Sequence, residues 1–398
     1  MANLALKIGL LAPTKGGKTT LLATTLNEIS SILTGNEFGA KYYAADVKTR
    51  DAIVRKLSEY KAILRLNDPF AVPSMPGTVD ISDYSFALSV PTGHGGDPMR
   101  LTLNFKDFPG GWLGDTAIEN EIGPFLREAQ ALVVPIASDF LLAWADTDGK
   151  ADPASLEKNV AAQISLQADD ILMILADWIV GRVKLGERPY VAFVPVRCEA
   201  CFADNGGTVD ESEKLFAAVQ ECFVKPLYGR LAEFARDFVK VEIHAIDTYG
   251  IVELLETKVI SGQLESTFKR RTATESNGGH FASKGSFALL TRLLNYEMGE
   301  MARGLRMKQE ELENKIRDRT FLKDVIFTLF PRLDESGKRL AKVMSTNDAL
   351  VECIAKFKDM VPPDPVRQRV VLDQGETLAP PDGADADDGA DIASGGES

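Results

Sequence analysis

The chain has 398 residues, of which 45% are hydrophobic and 26% are charged, a composition typical of globular proteins. Its formal net charge of −13 argues against a general binding surface for nucleic acid or anionic membranes. The apolar runs are too short or too charged to cross a bilayer, and four cysteines are too few for a disulfide framework in a chain of this size. We therefore expect a cytoplasmic protein with no nucleic-acid partner and no stable membrane insertion.

The first predicted elements are a strand, a glycine-bearing turn and a helix. Apolar residues over positions 4–11 lead into the turn, and a helical pattern follows from Leu21. This order is typical of the phosphate-binding loop G-x-x-x-x-G-K-[ST], with Ala12 standing at the first glycine. Glycines allow the backbone to aim N–H groups at phosphate oxygens, and the helix N-terminus adds a partial positive charge.

The turn supplies most of the predicted ligand-binding residues. These are Thr14, Lys15, Gly16, Gly17, Lys18, Thr19 and Thr20. Lys18 is expected to reach the β- and γ-phosphates of a nucleoside triphosphate, which makes it a predicted catalytic residue. The Thr19 hydroxyl is expected to coordinate Mg²⁺.

A helical insert over about residues 35–70 and a β-hairpin follow the first helix. The hairpin is predicted from period-two alternation over residues 79–90 and 100–105. Thr78 precedes its first strand and is predicted to close over Mg²⁺ and the γ-phosphate. The alternative interpretation is that Thr78 only begins the strand.

The hairpin ends on the sequence D-F-P-G, which matches the D-x-x-G pattern of GTPases. Asp107 would hold Mg²⁺ beside the turn hydroxyl, because a carboxylate at the end of a strand can reach the metal. Gly110 would present an unobstructed backbone N–H to the γ-phosphate. Both are therefore predicted catalytic residues, and Asp107 is also a predicted metal ligand together with Thr19 and Thr78.

Three further strands are predicted at residues 131–136, 190–196 and 239–246, separated by helical segments that include an insert over about 150–187. Strands that alternate with helices indicate a doubly wound, mostly parallel sheet. The predicted fold class is therefore an α/β P-loop NTPase sheet with one antiparallel hairpin, helical insertions and a helical C-terminal region.

The loops after the last two strands are candidates for recognition of the nucleotide base. Arg197 and Glu199 stand where GTPases carry [NT]-K-x-D, in which the lysine stem lies over the base and the carboxylate accepts hydrogen bonds from guanine. Ala245 and Ile246 could offer a backbone N–H to guanine O6. The alternative for residues 196–199 is a solvated loop.

Residues 1–256 are predicted to form the P-loop domain. By composition, the rest of the chain divides into an exposed connection at 257–285, a C-terminal helical region at 286–360 and an acidic disordered tail at 361–398. The tail contains nine acidic and two basic residues, so it holds about half of the negative excess. The basic run at 269–271 is interpreted as a solvated charged segment rather than a source of a catalytic arginine.

The loop at residues 107–113 (D-F-P-G-G-W-L), together with the spacing of the other motifs, resembles the YcjX-like and double-GTPase groups. These are bacterial P-loop GTPases of the translation-factor-related class, and the resemblance covers roughly residues 4–250. It implies GTP or GDP as ligand, Mg²⁺ as cofactor and a regulatory role, in some members within stress or conflict systems. The chain departs from that pattern in its base loop and at Gly111, where Ras-like enzymes place a glutamine that orients water.

The combined interpretation is a Mg²⁺-dependent switch that binds GTP and hydrolyses it slowly. Two alternatives stay open: an ATPase or small-molecule kinase, and a nucleotide-bound scaffold without turnover. Protein partners are expected to dock on the helical inserts or the C-terminal helices.

Overall fold

The computed structural model describes most of the predicted elements. The described residues are 3–12, 16–34, 39–65, 68–71, 82–91, 98–107, 123–147, 160–203, 210–250, 252–260, 263–270, 283–321, 355 and 366–372. Thr14, Lys15, Thr78 and Gly110 lie outside them, so the predictions for these four residues stay predictions.

The described residues form eleven strands and nine α-helices. The strands are β1 (Asn3–Leu10), β2 (Lys41–Ala44), β3 (Phe70–Ala71), β4 (Ser82–Val90), β5 (Met99–Asp107), β6 (Ala131–Ala137), β7 (Tyr190–Val196), β8 (Lys240–His244), β9 (Val252–Ile260), β10 (Gln263–Arg270) and β11 (Gln368–Leu372). The helices are α1 (Lys18–Leu33), α2 (Val47–Arg65), α3 (Gly123–Glu128), α4 (Ser138–Asp146), α5 (Val160–Lys184), α6 (Ser212–Val219), α7 (Lys225–Arg230), α8 (Glu233–Arg236) and α9 (Ser286–Phe321). A π-helical turn at Gln220–Val224 joins α6 to α7.

Eight strands form one sheet in the order β11-β8-β7-β6-β1-β5-β4-β2. The five strands from β8 to β5 run parallel, while β4, β2 and β11 each pair antiparallel with their neighbour. The predicted hairpin is the β4–β5 pair. The prediction of a doubly wound α/β sheet is therefore confirmed.

The core lies on both faces of this sheet. On the middle strand β6, Leu132 and Val134 pack with α3 to α8, whereas Ala131 and Val133 pack on the opposite face with α1, α2 and α9. Every residue of β6 and β7 is buried, which explains why both read as uninterrupted apolar runs. No helix within the described ranges is long and apolar enough to cross a membrane.

The expected exposed connection at 257–285 is wrong for its first half. Residues 252–260 and 263–270 are the paired strands β9 and β10, and β3 completes a second, three-stranded sheet. Alternate residues Leu264, Ser266 and Phe268 are buried. Lys269 and Arg270 belong to β10 rather than to a loop. The residues of β10 between the buried ones are polar or charged, and this composition hid the alternation.

The expected disordered tail is wrong at residues 368–372, which form β11 beside β8. Just before it, Arg367 is buried, pairs with Asp247 at 2.7 Å and stacks over Phe202. A five-residue strand contributes little to the average composition of a 38-residue segment, so the acidic average concealed it. Another missed strand, β2, lies inside the expected helical insert at 35–70.

Candidate functional site

The turn before α1 depends on glycine. Gly17 precedes α1 with φ +89°, in the left-handed region that a Cβ disfavours. A Cβ placed there would stand only 2.7 Å from a methyl carbon of Val196, at the end of β7. Gly17 has no side chain that could accept a hydrogen bond from the first N–H groups of α1. These groups are therefore not capped by the residue that precedes the helix.

Lys18 follows the turn and is buried. Its Nζ donates a hydrogen bond to the carbonyl oxygen of Ala12 at 2.9 Å. Burial lowers the pKa of Lys18, and the negative charge of Asp107 acts in the opposite direction. An ammonium group offers three donors, and a buried cation is favourable only when anionic or polar groups surround it.

Thr19 and Asp107 meet at the carboxyl edge of the sheet. The Thr19 hydroxyl donates to Asp107 Oδ2 at 2.9 Å, and Asp107 is fully buried. Their proximity follows from topology, because β1 and β5 are parallel neighbours in which Leu10 pairs with Asp107. The carboxyl edge of an open α/β sheet is where such folds bind ligands.

The chemistry of these two groups fits Mg²⁺. The ion prefers oxygen ligands and is usually held by one or two carboxylates together with substrate phosphates, so Thr19 and Asp107 could supply the protein's share. No cluster of three or more His, Cys, Asp or Glu side chains that could hold a metal occurs within the described ranges. The metal-binding roles stay predictions.

Two other predicted turn residues are buried. Gly16 lies in the turn itself. The Thr20 hydroxyl forms a short hydrogen bond with the hydroxyl of Tyr60, which belongs to α2. Thr20 therefore links α1 to α2, and its direct contact with phosphate stays a prediction.

Arg197, predicted to lie over the base, is directed into the protein. Its guanidinium pairs with Asp139 at 2.7 Å, and both side chains are at most 2% exposed. It also lies 5.2 Å from the ring centre of Phe140 and 5.9 Å from that of Phe268, within the range of cation–π attraction.

Glu199, predicted to bind guanine, is fully buried. Its Oε1 accepts hydrogen bonds from the backbone N–H of Tyr249 and, at 2.9 Å, from that of Gly250. Burial, reinforced by the charge of Asp247, raises the pKa of Glu199 to about 8.

The backbone amides predicted for guanine O6 are also bonded within the protein. Ala245 N–H donates to the carbonyl of Arg367 at 2.9 Å, and Ile246 N–H donates to that of Pro195 at 2.8 Å. A role in base binding for residues 197, 199, 245 and 246 stays a prediction, and it would require these internal contacts to be exchanged.

Sequence reasoning missed the residues that enclose the base loop. Four aromatic side chains form a cluster beside it: Tyr60, Phe70, Tyr249 and Phe268. Asp139 was also missed, although it lies only two residues after the buried run of β6. A polar pair such as Ser138 and Asp139 at the carboxyl end of a parallel strand was the available signal.

No protein-family model and no curated protein match the sequence. Among solved structures, the chain is similar to Sup35 complexed with GDP, at 11% identity and a TM-score of 0.26. It is also similar to the Ski7 GTPase-like domain of S. cerevisiae bound to GTP and bound to GDP and inorganic phosphate, at 12% identity and TM-scores of 0.27 and 0.28. These matches cover 61–62% of this chain and 38–43% of the neighbours, so the chain spans less than half of their length. At these values the likeness adds nothing to what the site geometry supports.

Proposed function

We propose that the protein binds the polyphosphate of a nucleoside triphosphate at the turn before α1 and works as a slowly hydrolysing, Mg²⁺-dependent switch. GTP and GDP are the ligands that the sequence resemblance implies. The observation that carries the proposal is the grouping of Lys18, Thr19 and Asp107 at the carboxyl edge of two adjacent parallel strands.

The charges at this edge suit a triphosphate. Among the described residues, the Lys18 ammonium gives one of its three donors to the carbonyl of Ala12, and phosphate oxygens would be suitable acceptors for the others. The N-terminus of α1 adds its partial positive charge at the same place. Mg²⁺ held by Thr19 and Asp107 would neutralise charge on the β- and γ-phosphates.

Slow hydrolysis is inferred from the sequence after Asp107. The chain continues F-P-G-G-W, so Gly111 stands where a water-orienting side chain is found in Ras-like enzymes. An arginine supplied by a partner can raise the rate of such enzymes by roughly 10³–10⁵. Phosphate release measured at high protein concentration separates a slow enzyme from the alternative, a scaffold without turnover.

Protein partners belong to the same proposal. The helix α9 begins with residues packed in the core, such as Leu290 and Leu294, and in its second half the described side chains, Met307 among them, are mostly exposed. A partner that reads the nucleotide state could dock on this half or on the helical inserts.

The binding test compares Lys18→Ala with a matched control, Lys61→Ala, which removes an exposed lysine of α2. A titration with a ribose-labelled fluorescent GTP in Mg²⁺ should show affinity lowered by roughly 10- to 100-fold in Lys18→Ala, since hydrogen bonds to charged groups contribute about 1.5–3 kcal/mol. Lys61→Ala should bind as the wild type does. Equal affinity in all three proteins would refute the site.

A further inference from the structure

We infer that this site selects its ligand by polyphosphate and Mg²⁺ and does not discriminate guanine from adenine. The inference rests on the proposed function, because it presupposes that the turn before α1 binds phosphate. It assigns a substrate class, nucleoside triphosphates irrespective of base, to that same site.

Guanine recognition has definite chemical needs. A carboxylate must accept hydrogen bonds from N1–H and the N2 amino group, and a donor must reach O6. A site built with such groups rejects a ligand that leaves them unpaired by a large factor, up to roughly 10⁴–10⁵. The groups must therefore face the ligand before it binds. Otherwise their internal hydrogen bonds must first be broken, which costs free energy.

One oxygen of the Glu199 carboxyl group at the base loop is already occupied, while Oε2 accepts no hydrogen bond from the described residues. Glu199 is fully buried, and its Oε1 holds the backbone N–H groups of Tyr249 and Gly250. These bonds fix the loop that follows β8. Turning Glu199 towards a base would leave two buried amide donors unpaired, which is unfavourable.

The candidate donors to O6 are occupied as well. Ile246 N–H is bonded to Pro195, the neighbouring strand, and Ala245 N–H is bonded to Arg367 just before β11. A base could take these donors only by separating β11 or β7 from the loop after β8. Both contacts are extensions of strand pairing in the main sheet.

Arg197, the residue predicted to lie over the base, is held by internal contacts. It is paired with Asp139, and its guanidinium lies 5.2 Å from the ring centre of Phe140 and 5.9 Å from that of Phe268. Phe268 comes from β10, so the small sheet covers the base loop. Breaking one partner out of a buried ion pair is strongly unfavourable, and this holds Arg197 away from a ligand.

The test is a competition experiment on the full chain. A ribose-labelled fluorescent ATP is bound in Mg²⁺ and displaced by GTP, by ATP and by inorganic tripolyphosphate. We expect GTP and ATP to compete with affinities within about tenfold of one another, since without matched polar groups discrimination is weak, and tripolyphosphate to compete as well.

The outcomes separate the two proposals. A preference of a hundredfold or more for either GTP or ATP would overturn the inference while leaving the proposed function intact. If neither this labelled ATP nor the labelled GTP of the Lys18→Ala titration binds to the wild type in Mg²⁺, the proposed function itself fails.

A conservative variant sharpens the test. Glu199→Gln keeps an oxygen that can accept the two amide hydrogen bonds, so the fold should persist, and the ratio of GTP to ATP affinity should equal that of the wild type. Glu221→Gln, at an exposed position, is the matched control. A selective loss of GTP affinity in Glu199→Gln alone would show that Glu199 contacts guanine and would overturn the inference.

Discussion

The two ends of the candidate site differ in what their polar groups do. At the phosphate end, Lys18 donates to the carbonyl of Ala12, Thr19 donates to Asp107, and the charge of Asp107 acts on Lys18. At the base end, Arg197 and Glu199 are enclosed by hydrogen bonds, an ion pair and aromatic rings. Both ends stand on the carboxyl edge of the same parallel sheet, so topology alone does not distinguish them.

Residues at the same edge of a sheet can therefore differ in role, some suited to bind a ligand and others to stabilise the fold. The phosphate end groups a buried cation with hydroxyl and carboxyl oxygens, a combination that would suit a phosphate and a hard metal ion. The base end has the chemistry of a structural network that joins β7, β8, α4 and the small sheet. Substitutions should therefore change ligand binding at the first end and stability at the second.

The largest expected effect on stability comes from the ion pair at the base end. Asp139→Ala leaves the Arg197 guanidinium buried without its counter-ion, so the free energy of unfolding should fall by roughly 3–5 kcal/mol. Denaturant-induced unfolding measures it. Glu221→Ala is the control, because it breaks the exposed pair with Lys225 and should cost at most about 0.5 kcal/mol. Similar losses in both variants would contradict the contrast between buried and exposed pairs.

A pH-dependent effect, of at most about 1.4 kcal/mol for each pH unit, is expected at Glu199. Its pKa is raised from 4.5 to about 8, so the folded state binds the proton more tightly than the unfolded state. The wild type should therefore lose stability as the pH rises from about 4.5 to 8, by up to about 1.4 kcal/mol per pH unit.

Glu199→Gln should remove this contribution, because the amide does not titrate. The variant and the wild type should be similar in stability near pH 5, and the variant should be the more stable near pH 8, where Asp247 opposes the charged form in the wild type. Unfolding free energies measured at several pH values test this. A difference that does not change with pH would show that Glu199 is not protonated on folding.

Much of the phosphate end could be predicted from the sequence because its determinants are local. The apolar run, the glycine turn and the helix are consecutive, and Asp107 follows from a strand that ends on a carboxylate. Only one tertiary assumption was needed, that β5 lies beside β1. The parallel pairing of Leu10 with Asp107 satisfies it.

The base end could not be predicted because its determinants are distant in sequence. Arg197 contacts Asp139 from α4 and Phe268 from β10, and no pattern within either segment indicates these contacts. The alternating pattern of β10 consists of only three buried residues, and the residues between them are polar. Arg367 lies beside the base end because β11, the five-residue strand that directly follows it in an acidic segment, pairs with β8.

The most direct test of the account is the position of the metal. A crystal of the protein grown with Mn²⁺ and a non-hydrolysable GTP analogue should give an anomalous peak about 2–2.3 Å from the Thr19 hydroxyl oxygen, on the side that faces Asp107, with the phosphates around Lys18. A metal and triphosphate bound anywhere else, or no binding at the turn before α1, would contradict the central claim.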